Sequence, residues 1–242
     1  MRDLPGGHRR RAAVLSAGLT VLLMAACARP ASHEATAAKV GPPPGLEFVP
    51  PAAGSYELPV IQPAADGKVL DTAGEERRLF DYLDGRYALL SFIYTRCSDG
   101  RGCPFATATL RMVQRELQKD RALAGQARLI TLSFDPERDT PESLEGYAER
   151  GELRTPGDDD SWAFLTTASQ SDLQPILDGY GQYIVPELDE QGRFTGDFTH
   201  VLKVYLIDRQ RRVRNIYSAS YLHPALVIND LETLLMAEAS PG

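Results

Sequence analysis

The sequence predicts an α/β domain: a central mixed sheet flanked by helices, with an N-terminal hairpin extension. Three observations predict it. Residues 87–94 and 129–134 are near-continuous apolar runs, the pattern of strands covered on both faces. Between and after them, apolar residues recur at spacings of three and four, the period of an amphipathic helix. The last part of the chain adds two strand signals and a closing helix. The resulting order, β-α-β-α…β-β-α, requires parallel and antiparallel neighbours within one sheet.

Residues 1–26 read as an export segment. Arg2, Arg9, Arg10 and Arg11 form a basic start, and the apolar run 12–26 suits the core of a signal peptide but is short for a transmembrane helix. The run ends Leu22-Leu23-Met24-Ala25-Ala26-Cys27, which resembles the bacterial lipoprotein processing site. That resemblance implies that Cys27 becomes the lipidated first residue, anchored at the extracytoplasmic or periplasmic face of a membrane. Residues 27–54, rich in Ala, Pro and Gly, read as a tether. One domain, 55–242, follows.

Within it, residues 58–61 and 68–70 flank Asp66-Gly67 as an expected hairpin. Residues 104–119 form a helix with Leu110, Val113 and Leu117 inward. Thr140-Pro141-Glu142 supplies a cap, a first-turn proline and a first-turn acid for a helix ending at Gly151. A helix is expected over 171–180 despite Pro175. Strands are expected over 201–207 and 213–217 around a turn at 208–211, and a closing helix over 225–236. The thioredoxin-like fold has this order, with reactive cysteines after the first core strand and at the following helix start.

The formal net charge is −7. Residues 1–26 carry four arginines and one aspartate, so their removal leaves a more acidic chain. This argues against nucleic acid or an anionic membrane surface as a target. The run Asp158-Asp159-Asp160 reads as a solvated loop.

Beyond Cys27 the cysteines are Cys97 and Cys103, at the carboxyl end of a buried strand and the start of a helix. Such a pair can carry out redox chemistry or hold a soft metal. The N-terminal end of a helix stabilises negative charge, so Cys103 is expected to be the more thiolate-like. Thiolates favour Cu(I), and with a nitrogen partner also Cu(II) and Zn(II). Of the histidines, His33 falls in the tether and His223 precedes Pro224 at a helix start. His200 ends the polar loop 191–199 and opens a strand; by position alone, such a histidine is usually structural.

Taken together, Tyr94-Thr-Arg-Cys97…Cys103-Pro104, the stretch Ser133-Phe-Asp-Pro-Glu-Arg-Asp-Thr-Pro-Glu142 and His200-Val-Leu-Lys-Val-Tyr-Leu-Ile-Asp208 resemble the Sco/SenC family over residues 55–237. The resemblance implies a thioredoxin-like fold and copper held by Cys97, Cys103 and His200. It implies a copper donor and a membrane-bound respiratory client, the dinuclear copper centre of cytochrome c oxidase. Some members of that family act mainly as thiol–disulfide reductases, which here would use a Cys97–Cys103 disulfide. Two departures stand out. Five residues, 98–102, separate the cysteines where the family has three, and Thr199 stands where an aspartate commonly precedes the histidine. Gly100 and Gly102 are expected to let the longer turn fold back. The sequence reading of residues 135–142 is strand exit, turn and helix cap. A purely structural disulfide and peroxidase chemistry are the remaining alternatives; no separate resolving cysteine supports the latter.

Overall fold

The computed structural model describes residues 44–83, 85–154 and 160–239. In chain order the elements are β1 (Gln62–Pro63), β2 (Lys68–Leu70), β3 (Glu76–Arg78), a 3-10 turn (Leu79–Tyr82), β4 (Tyr87–Ile93), α1 (Cys103–Lys119), β5 (Ala127–Ser133) and α2 (Pro141–Arg150). There follow β6 (Trp162–Leu165), α3 (Gln170–Tyr180), β7 (Ile184–Leu188), β8 (Phe194–His200), β9 (Lys203–Ile207), β10 (Arg212–Ser218) and α4 (Pro224–Ala239). Six strands form one sheet in the order β1-β10-β9-β4-β5-β6. β4, β5 and β6 are parallel; β9, β10 and β1 extend the sheet by antiparallel pairing.

β4 and β5 are buried along their whole length, which is why they lack polar alternation. Tyr87 and Leu89 face the layer containing α1, α2 and α4, while Ala88, Leu90 and Phe92 face the layer containing α3. Each fully buried leucine here contributes roughly 1.5–3 kcal/mol. Some of the polar groups inside pair across the strands. Trp162 Nε1 donates to Thr131 Oγ1 at 2.9 Å, and Ser91 Oγ lies 3.2 Å from the same hydroxyl.

The helix starts follow the sequence. Thr140 Oγ1 accepts the Ser143 N–H and Pro141 occupies the first position of α2. Ser169 caps α3, which closes at Gly181 with a left-handed φ of 59°. Pro175 is tolerated within α3, whose Leu173, Ile176, Leu177 and Tyr180 are buried.

Three expectations need correction. β2 pairs with β3, not with residues 58–61; the N-terminal hairpin turns at Asp71–Glu75, where the Asp71 carboxylate accepts the N–H groups of Ala73 and Glu75. Asp66 instead accepts from Gly67 and Phe80 and pairs with Arg78, pinning the hairpin base. Residues 191–199 are not simply a polar loop, because β8 begins at Phe194 and pairs with β7 as a separate two-stranded sheet. His200 closes β8 rather than opening β9, which starts at Lys203. β6 had no clear sequence signal.

Residues 44–54 run along α4. Asn229 Nδ2 donates to Pro51 O at 2.9 Å, the Gly54 N–H donates to Thr233 Oγ1 at 3.0 Å, and His223 Nε2 lies 2.9 Å from Pro44 O. The expected export segment 1–26, Cys27, His33 and residues 27–43 of the expected tether lie outside the described residues, as do Asp158 and Asp159. Asp160 pairs with Arg86 and Arg128.

Candidate metal centre

β4 delivers the chain to the site. After Ile93 come buried Tyr94 and then Thr95; the Cys97 N–H returns to Tyr94 O at 3.2 Å. The five-residue turn is organised by Asp99. Its carbonyl accepts the Gly102 N–H at 2.9 Å and its carboxylate accepts the Arg101 N–H at 3.0 Å. Of the two glycines, Gly102 is the one the turn needs: a Cβ there would stand 3.2 Å from Asp99 Oδ2 and 3.4 Å from Cys97 Sγ, whereas one at Gly100 would meet nothing. Gly102 then caps α1, and Cys103 is its first residue.

Cys97, Cys103 and His200 are brought together. One donor atom from each lies within 4.8 Å of the others. Cys103 Sγ is 3.8 Å from His200 Nε2, and both cysteines are free thiols. Cys103 is only 2% exposed, while Cys97 is partly exposed at the edge of a cleft of about 590 Å³. Among the described residues His200 Nδ1 is buried without a hydrogen-bond partner. Two sulfurs and an imidazole with an uncommitted nitrogen form a donor set suited to a soft or borderline metal.

The thiols are unequal in the sense opposite to the sequence expectation. Cys97 is lowered from about 9 to about 5. The largest cause is the hydrogen bond it receives from the Cys103 thiol, outweighing burial, with further help from the N–H groups of Cys103 and Asp99. Cys103 is raised, first because its proton is held by Cys97 and second by burial. The helix start does act on a thiolate: the N–H of Cys103 lowers Cys97 as well as Cys103 itself, and at Cys103 it is outweighed.

Two aromatic rings pack on the histidine and a third packs on both of them. Phe134, which follows β5, lies 5.0 Å from the His200 ring, and Tyr94 lies 6.2 Å from it. Phe198 packs on both Tyr94 and Phe134. Sequence reasoning missed these, and it missed Asp139. That carboxylate is fully buried and accepts from Thr95 N, Thr95 Oγ1 and Ser133 Oγ at 2.9, 2.5 and 2.6 Å. The only local signal was an aspartate in a strand-exit turn. His223, at the helix start, is a capping residue: the Ala225 N–H donates to its Nδ1.

A thioredoxin-like sheet with two free thiols and a histidine in reach of one ion defines a thiol protein equipped for soft-metal or disulfide chemistry. The family model described as SCO1/SenC matches residues 66–236, and the chain belongs to that family. The SCO1 protein homolog of Bacillus subtilis (strain 168) is 30% identical over 138 residues, covering 56% of this chain and 64%, just under two thirds, of that protein. The fold is similar to that of BsSco, described as a Sco-family cytochrome c oxidase assembly protein with a disulfide switch. The TM-score is 0.56 at 25% identity, over 74% of this chain and 97% of that one. It is also similar to copper-bound ScoI from Bradyrhizobium japonicum, with a TM-score of 0.54 at 23% identity, over 72% and 98% of the two chains.

Proposed function

We propose that this protein is an exported copper-binding assembly factor, held by a lipid on Cys27 at the extracytoplasmic face of a bacterial membrane. It takes copper from a donor protein and delivers it to a membrane-bound respiratory copper centre such as the dinuclear site of cytochrome c oxidase, or prepares the thiols of that centre. The observation that carries the reading is the convergence of Cys97, Cys103 and His200 within 4.8 Å. Membership of the SCO1/SenC family and the copper-bound Bradyrhizobium structure support copper as the metal. The description of BsSco supports the oxidase as client. Among the described residues no helix is long and apolar enough to cross a membrane.

Anaerobic copper titration tests this reading. The reduced protein takes up one copper; Cys97→Ser or Cys103→Ser nearly abolishes uptake. His200→Ala weakens Cu(II) more than Cu(I), because two thiolates alone can hold Cu(I). A Cu(II) spectrum unchanged in His200→Ala would overturn the ligand set.

A second reading, thiol–disulfide oxidoreductase, is favoured by the lowered Cys97 thiol beside Cys103. The two readings share sulfur electrons, so oxidation and copper compete. Mass spectrometry of the oxidised protein shows the loss of two hydrogens, and that form takes up no copper at the site. Full uptake by the disulfide form counts against a shared site.

A further inference from the structure

His200 stands on β8, which belongs to a two-stranded sheet and not to the six-stranded one. The hydrogen bonds of the main sheet therefore do not set where the histidine stands relative to the cysteines. Besides the short link to β9, the Tyr94 hydroxyl bonded to Asp197 and the rings of Tyr94 and Phe134 on the histidine, side-chain contacts from the turn after β5 reach the hairpin that carries it. Asp139 ties that turn to Thr95, two residues before Cys97. Its neighbour Arg138 reaches the other way. The guanidinium carbon lies 4.3 Å from the Phe194 ring centre and 5.6 Å from that of Phe198. A Cβ at Gly196, whose φ is +103°, would stand 3.4 Å from Arg138 Nη1, so the hairpin is bare where the guanidinium lies. Arg138 Nε is paired at 2.7 Å with Asp135, a carboxylate 4% exposed. The N–H groups of Arg138 and Asp139 both donate to Asp135 O.

We infer that Arg138 is a positioning residue that holds His200 against the cysteine pair by clamping the β7–β8 hairpin to the turn after β5. Asp135 fixes the guanidinium and Asp139 fixes the turn to the cysteine strand, so the two halves of the site share one brace. A strand exit and helix cap explain Thr140. They do not explain a buried carboxylate paired with a half-buried cation that rests on the rings of a distant strand. The positioning role rests on the copper reading; the clamp does not.

Two substitutions remove the contact from opposite sides. Arg138→Lys keeps a cation for Asp135 but lacks the planar face. Phe194→Ala removes the ring and leaves the Asp135–Arg138 pair intact. In the reduced, metal-free full chain, hydrogen exchange of β8 amides rises roughly 3- to 10-fold in each variant, the range a lost cation–π contact allows. Exchange in β4 and β5 stays unchanged. With Cu(II) added, both variants shift the electron paramagnetic resonance spectrum toward that of His200→Ala and lose Cu(II) to a chelator faster by a similar factor. Cu(I) binding is retained. The double variant matches either single one, because both remove the same contact, and Phe194→Trp restores the wild-type spectrum. Unchanged β8 exchange in both variants overturns the clamp. Faster exchange with a wild-type Cu(II) spectrum and release rate overturns the positioning role. A His200→Ala spectrum identical to wild type sinks the copper reading and the positioning role together, while the exchange data still judge the clamp.

Discussion

Cys97 and Cys103 divide the work of one proton. Cys103 keeps it and is buried; Cys97 receives the hydrogen bond and is the anionic, reachable sulfur. In the reduced metal-free protein, iodoacetamide should therefore modify Cys97 first, as peptide mapping would read. The sign follows from the lowered value: Cys97 is thiolate above about pH 5, so its alkylation rate rises through that region and not near 9. In Cys103→Ala, which removes the donor, the midpoint moves upward. Preferential labelling of Cys103 would reverse the assignment. The sequence could place both thiols at a helix mouth. It could not say which sulfur becomes the thiolate, because that depends on the path of residues 98–102, which brings Cys97 Sγ to 3.4 Å from where a side chain at residue 102 would begin.

At the scale of elements, β4 and β5 were legible because burial on both faces leaves an apolar run. β8 was not. Gly196 and Asp197 interrupt its alternation, and its partner β7 contains Pro186 and exposed residues, so neither strand carries a local signature. The rings of Tyr94 and Phe134 meet His200 from two distant parts of the chain, with Phe198 of its own strand packed on both, and leave no periodicity to read. The β9–β10 connection shows the opposite case, a turn expected from sequence whose energetics appear only in three dimensions. Asp208, 1% exposed, accepts the N–H groups of Gln210 and Arg212 and pairs with the guanidinium groups of Arg212 and Arg214. Burial raises its pKa, but the arginine hydrogen bonds outweigh this and the net shift is downward. A depressed folded-state value contributes stability that is present above the unfolded value near 3.8 and is lost as pH falls through the folded one. Asp208→Asn should cost about 3 kcal/mol at pH 7 and flatten the acid limb of the stability curve. Denaturant unfolding at several pH values measures both; an unaltered acid limb would refute the linkage.

For the whole molecule, the segment before β1 matters. Residues 44–54 bond to α4 at three places, and Tyr56 continues that contact by donating its hydroxyl to Asp230, which also accepts from Asn215 and Tyr217. A protein beginning at residue 44 should be more stable than one beginning at 55 by about 1–3 kcal/mol, from two or three lost hydrogen bonds. Calorimetry of the two forms checks this, and equal melting temperatures would show that the contacts carry no weight. The anchor has its own test: Cys27→Ser should abolish membrane attachment or block processing and leave copper uptake by the soluble form intact. Continued membrane attachment after normal cleavage would assign the anchor elsewhere.

The unequal exposure of the two sulfurs gives exchange at this site a fixed order. An incoming thiolate can reach Cys97 from the cleft, while Cys103 lies behind it at 2% exposure. If the oxidoreductase reading holds, an incoming thiolate would attack Cys97 of the oxidised form; the bond between the two cysteines would break, the incoming sulfur would join Cys97, and Cys103 would leave and take up a proton as the thiol that its surroundings favour. Cys103 is then the resolving group, sheltered from every competitor except the bond it is meant to break. With a client peptide carrying an activated disulfide, Cys103→Ser should accumulate a covalent adduct through Cys97, and Cys97→Ser should accumulate little. Equal trapping by both variants would mean that the interior sulfur is addressable from outside, and that the handover has no first step imposed by the fold.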